Sequence, residues 1–205
     1  MCGRYYIDDA AVWEIRKFAE KWEVVTDSSL EDVFSLKGKN RIDIHPSEFG
    51  LVMWLQENSI RASQMKWGFP SDSKSGLLIN ARAESVLERP TFRPSFLQRR
   101  CVLPAAGFYE WNDKKEKNTF WNPKKPIIYL AGIYDLRENE SRFVILTTQA
   151  NEAMREVHDR MPLILEEQEV EIWIRDEESA EKLLGKSSFP LQKCQEYEQL
   201  TLFKK

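Results

Sequence analysis

The second residue of the chain is a cysteine, Cys2. A small residue at that position favours trimming of the initiator methionine, which would leave an α-amine and a thiol on one carbon skeleton. The free amine titrates at about 7.8 and the thiol at about 8.5, so both are partly nucleophilic at neutral pH. Their natural partner is an aldehyde. The amine condenses to an imine, and the thiol then closes a five-membered thiazolidine, an intramolecular step that gains from effective molarity. The same pair can instead attack an amide carbonyl with the α-amine as base, the logic of an N-terminal nucleophile hydrolase. Residue chemistry leaves both open.

Three further runs carry groups suited to such a centre. In LINARAES, Asn80 and Arg82 are two apart at the end of an apolar strand and share a face, offering an amide and a phosphate fork. In GFYEW, Glu110 sits between aromatics that would desolvate it, a setting that suits a carboxyl to general acid/base work. In TTQANEAMREVHDRMPLIL, His158 falls on a polar turn beside Arg160. Seven tryptophans mostly belong to cores, but Trp67, next to a glycine in MKWGFP, is placed to serve as a base-stacking platform.

The elements that must hold these residues read as strands with a few helices. Asp8 to Trp22 repeats apolar residues at Val12, Ile15, Phe18, Ala19 and Trp22, a helical period with Asp8 or Asp9 as cap. Short runs rich in β-branched and aromatic residues follow at 51–55, 60–67, 77–79, 101–105, 108–111, 127–134 and 143–148. Helical character returns at 151–157, 167–174 and 179–184, and 112–125 reads as a polar, hairpin-like excursion. The expectation is class α+β: a predominantly β domain with peripheral helices. Neither a repeat nor a linker divides the chain.

Composition narrows the classes. With 205 residues, 42% of them apolar, the chain can bury a sizeable core without disulfides or metal. Cys2, Cys101 and Cys194 are too few and scattered for a disulfide framework or a zinc site, which points to a reducing compartment. No apolar run approaches a membrane span, and the N-terminus lacks the regions of a signal peptide, so a cytoplasmic location is expected. Thirty basic residues against thirty-three acidic ones argue against a uniformly basic nucleic-acid binder. The charge is uneven, however: residues 82–100 hold five arginines against two glutamates, whereas 166–186 hold eight acids against three bases.

Taken together, MCGRYY, MKWGFP, INARAES, GFYEW and ANEAMREVHDRMPLIL, in this order over residues 2 to 165, resemble the SOS response-associated peptidase (SRAP) family. The resemblance implies one SRAP domain over 1–205 with barrel-like antiparallel sheets. It also implies binding of single-stranded DNA and covalent capture of abasic sites as a thiazolidine DNA–protein crosslink, with lyase-like and autopeptidase activity. Carried over by position, Cys2 would be the crosslinking nucleophile, Asn80 would position it, and Glu110 and His158 would handle protons. Arg4, Arg82 and Arg160 would grip phosphates, Arg89 would extend the path, and Trp67 would abut a base. No metal, cofactor, membrane or obligate protein partner is implied; a monomer acting on the nucleoid is expected. One departure stands out: where the family has a segment like NVAPTQ, this chain reads DIHPSEF, and Glu48 there would oppose a phosphate path. The alternatives are an amidohydrolase using Cys2 alone and a passive single-strand binder using residues 82–100.

Overall fold

A computed structural model describes residues 2–26, 36, 39–71, 76–137, 140–186 and 189–196. The chain enters as strand β1 (Arg4–Asp8) and turns directly into helix α1 (Asp9–Lys21). Asp8 caps this helix by accepting from the Ala11 amide at 2.9 Å, and Ala11, Val12, Ile15 and Phe18 form its buried stripe. Then follow β2 (Val25–Thr26), β3 (Arg41–Ile44), β4 (Phe49–Gln56), β5 (Ser59–Trp67), β6 (Phe69–Pro70), β7 (Leu77–Leu78) and β8 (Asn80–Arg82). A 3-10 turn (Ala83–Ser85) and the short helix α2 (Arg93–Gln98) lead to β9 (Arg100–Ala105), β10 (Gly107–Trp111), β11 (Lys117–Trp121), β12 (Ile128–Arg137) and β13 (Glu140–Gln149). The remainder is α3 (Glu152–Arg155), β14 (Arg160–Pro162), β15 (Ile164–Leu165), α4 (Glu167–Arg175), α5 (Glu177–Leu183) and β16 (Gln192–Glu196).

Two sheets share the core. The smaller runs β16-β11-β10-β1-β3, antiparallel throughout. In the larger, β13, β12, β9, β4 and β5 pair in succession, and β5 pairs back onto β13, so the path closes into a barrel. The closing contact is parallel, Phe143 opposite Trp67, and β8 also joins β13 in parallel. The expected barrel-like, mainly antiparallel arrangement holds, with parallel pairings where β5 and β8 meet β13 and where β2 meets β5. The chain passes from one sheet to the other through β9 and β10, and the bend at Ala106 is tied to β1 by its amide donating to Tyr6 O at 2.8 Å.

Of the apolar runs expected as strands, 51–55, 60–67, 101–105, 108–111 and 143–148 lie wholly within strands, whereas 77–79 and 127–134 overlap β7 and β12 but leave Ile79 and Ile127 outside them. Other expectations change. The helix expected over 151–157 shrinks to α3, because Asn151 caps Met154 N and the Ala150 amide donates to Asp159 O, pulling the chain back into β14. The polar excursion contains a full strand: Asn112 Oδ1 accepts from the Lys114 and Glu116 amides to make a tight turn, and β11 pairs with β10 along five residues. Strand β16 (QKCQE) has no apolar face; it is held by its ladder to β11.

Candidate active site and arginine edge

Cys2 lies at the junction of the two sheets, fully buried. Two of the expected partners reach it. Asn80, at the start of β8, donates from Nδ2 to Cys2 O at 2.9 Å, which fixes the backbone two residues before β1. Glu110, 4% exposed on β10, projects to the side opposite Tyr109, and its charge acts on the Cys2 thiol. The thiol is pushed far above its ordinary range, first by burial and then by Glu110; its weak contact to Arg4 O at 3.9 Å works the other way. At rest the sulfur therefore stays protonated.

The position of Asn80 is built from the interior. Trp67 is completely buried; its Nε1 donates to Ile79 O at 2.8 Å, and its ring stacks on Phe143 at 6.0 Å and meets Tyr5 at 5.4 Å. A base-stacking role for Trp67 is thus corrected: no base can reach a ring enclosed on all sides, and the indole instead anchors the backbone one residue before Asn80. Gly68 follows it with φ of +111°, a conformation glycine adopts without strain. Gly50 serves the same corner by absence of a side chain, since a Cβ there would lie 2.0 Å from the Tyr5 hydroxyl oxygen.

His158 and the arginines occupy the neighbouring edge. Thr147 of β13 stands opposite Arg82 of β8 and Pro162 of β14, so the three strands bring Asn80, Arg82, His158 and Arg160 to one end of the barrel. The Arg160 amide donates to His158 Nδ1 at 2.9 Å, and Asp159 Oδ1 lies 2.9 Å from the same nitrogen. Arg82, Arg89 and Arg93 are exposed. Arg4 lies with its guanidinium 5.0 Å from the Trp111 ring centre, on the flank of β10.

Two charge expectations need correction. Arg160 does not present an open fork: it forms a two-pronged pair with Glu84, 2.7 Å and 2.8 Å, and donates to Thr147 O as well. Arg99 and Arg100 leave the basic stretch altogether. Arg100 is buried and donates to the carbonyls of Trp173, Phe96 and Leu97, while Arg99 bonds Tyr134 O and faces Asp135 at 3.5 Å. Spacing gave no hint of this, because the same residue type satisfies either a phosphate or a carbonyl. In DIHPSEF, Glu48 spends its carboxylate on the His45 amide at 2.8 Å, capping a turn in which Ser47 has φ of 69°. That turn borders a cavity of about 450 Å³ lined by Lys39, Arg41, Asp43 and His45. Tyr109 bridges Asp43 and Arg41 there, donating to one and accepting from the other, a link that the sequence pattern did not disclose. Among the described residues, no group of three His, Cys, Asp or Glu side chains is placed to hold a metal, and no helix is long and apolar enough to cross a membrane.

Comparison with known proteins gives a consistent result. The abasic site processing protein YoaM of Bacillus subtilis is 29% identical over 93% of this chain and 86% of its own length. YoqW of the same organism is 30% identical over 85% and 80%, and YedK of Escherichia coli, also an abasic site processing protein, is 26% identical over 69% and 68%. Among solved structures, a phage-related protein from Bordetella bronchiseptica superposes with a TM-score of 0.75 at 20% identity, covering 96% of this chain and 95% of its own. A protein from Bacteroides thetaiotaomicron gives 0.74 at 22% identity over 95% and 91%. These two likenesses show the shared fold. The family model described as SOS response associated peptidase (SRAP) matches residues 1–202, and the chain belongs to that family.

Proposed function

We propose that this protein captures abasic sites in single-stranded DNA by forming a thiazolidine with Cys2 once Met1 has been removed. The observation that carries the reading is the setting of Cys2: a buried thiol on a residue whose backbone carbonyl is held by Asn80, within electrostatic reach of the buried Glu110 carboxylate. The names of the relatives, abasic site processing proteins, point to the same substrate.

The chemistry follows from the groups present. The sugar's closed hemiacetal opens to the aldehyde with acid/base assistance from Glu110 and His158. The freed α-amine of Cys2 adds to the aldehyde carbon, and the carbinolamine loses one water to give the imine. The thiol then adds to that carbon; its proton passes through Glu110 to the imine nitrogen, and the ring closes. One water is lost in total, with no oxidant or reductant. Arg4, Arg82 and Arg89 contact phosphates on the way in, giving sequence-tolerant, salt-dependent binding.

The test uses single-stranded DNA with one abasic site, run on a denaturing gel with wild type and Cys2→Ala. A covalent band with wild type and none with Cys2→Ala is expected. Equal bands would remove Cys2 from the mechanism. Turnover of an amide substrate with no DNA adduct would favour the amidohydrolase instead. Intact mass separates the routes to the free amine. Retention of Met1 only in Cys2→Ala marks self-cleavage, because an aminopeptidase would trim before alanine as well.

A further inference from the structure

Arg160 and Glu84 form a closed pair at the mouth of the site. Nη1 donates to Glu84 Oε1 at 2.7 Å and Nη2 to Oε2 at 2.8 Å, the parallel two-bond geometry in which a guanidinium also grips a phosphate. Nη2 also donates to Thr147 O at 2.6 Å, with Thr147 Oγ1 at 3.3 Å, and Nε is buried. The Arg160 side chain is only 12% exposed, whereas that of Glu84 is 45% exposed. No pair of parallel N–H groups is left facing solvent. Meanwhile Arg82, two residues before Glu84 and on the strand that carries Asn80, remains exposed and acts electrostatically on Glu84.

We propose that Glu84 is an affinity-determining residue that occupies the Arg160 fork in place of a DNA phosphate and must be displaced when the strand binds. This rests on the reading of the protein as a single-strand binder. Three features favour displacement over a fixed structural role. The carboxylate is the exposed partner and sits on a 3-10 turn at the surface. The guanidinium is the enclosed partner, held from behind by Thr147 O, and stays in place when the carboxylate leaves. A phosphate diester offers the same two oxygens and one negative charge, so the exchange preserves the charge balance of Arg160. The unliganded edge is thereby kept near neutral at this position, and a strand that cannot reach Arg160 does not gain its contact.

The experiment measures binding of undamaged single-stranded DNA as a function of salt in four proteins, all carrying Cys2→Ala: the parent, Glu84→Gln, Arg160→Ala and the double variant. Damage-free DNA and the missing thiol separate this test from the crosslinking reaction. Thermal unfolding of each variant checks the fold. Glu84→Gln is expected to bind about three- to tenfold more tightly at low salt, because only a neutral competitor remains to be displaced. The gain should fall to less than about twofold in the Arg160→Ala background, since removing one repelling charge from the edge is then all that is left. Equal or weaker binding by a folded Glu84→Gln variant would overturn the proposal and make Glu84 a positioning residue for Arg160. An undiminished gain in the Arg160→Ala background would overturn it in favour of general repulsion. No detectable binding by any of the proteins would overturn both this inference and the single-strand reading beneath it.

Discussion

The two flanks of Cys2 solve different physical problems. On the β10 flank, Glu110 is buried, Phe108 stacks on Phe120 at 5.2 Å, and Arg4 lies over Trp111, so the carboxyl sits in a desolvated setting. On the β8 flank, the strand end is solvent-facing: Arg82 and Arg89 are exposed, and Arg160 is balanced by Glu84. Charge in the first region is screened little and acts on one atom, whereas charge in the second is screened by salt and acts on a whole strand. Loss of Glu110 on the first flank should therefore cost chemistry, and loss of Arg82 or Arg89 on the second should cost affinity.

The largest expected effect is at the junction. Cys2→Ala should abolish covalent capture while leaving non-covalent DNA affinity within about twofold, measured by gel and by fluorescence anisotropy. Next, Glu110→Gln should slow capture by about 10²-fold, within the usual range for losing a general acid/base, with little change in affinity; stopped aliquots on a denaturing gel give the rate. A loss of affinity instead would merge the two flanks and break the comparison. Third, Trp67→Ala should cost about 3–5 kcal/mol of stability in chemical denaturation, the usual range for emptying a buried aromatic site. Trp67→Phe, which keeps an aromatic ring, though a smaller one, but drops the Ile79 hydrogen bond, should stay folded and lower the capture rate by less than Glu110→Gln. Fourth, Arg82→Ala should weaken binding and reduce the slope of log affinity against log salt by about 0.7, one phosphate on a single strand, with the capture rate at saturation unchanged.

The smallest effect concerns pH. The Arg160 guanidinium holds the Glu84 carboxyl below its ordinary 4.5. The sign follows: the pair's contribution is full above the unfolded value and is lost as pH falls through the lower, folded one. DNA affinity measured from pH 7 down to about 5 should therefore show no step from Glu84, and a step there would place its titration elsewhere.

The strand runs and α1 were legible because their apolar residues repeat at the period of the element. Barrel closure was not, because a parallel pairing between Phe143 and Trp67 leaves no local mark in a sequence. At the site, Cys2, Asn80 and Glu110 could be picked out by type and neighbourhood, and the structure gathers them. Trp67 was misread because an indole beside a glycine looks the same whether the ring turns outward or into a core. Arg99, Arg100 and Arg160 show the complementary limit: a guanidinium finds carbonyls and carboxylates inside the protein as readily as phosphates outside it. Glu84 carried one available signal, an acid set two residues after Arg82 in LINARAES, where a purely phosphate-binding edge would have none.

The most direct test of the account is the site of attachment. Wild-type protein is reacted with abasic single-stranded DNA, the DNA is trimmed by nuclease, and the adduct is mapped by peptide mass spectrometry without borohydride reduction. The account predicts modification of the N-terminal peptide beginning at Cys2, with a mass equal to both reactants less one water and no free thiol. Attachment to a lysine, or an adduct that appears only after reduction, would contradict it.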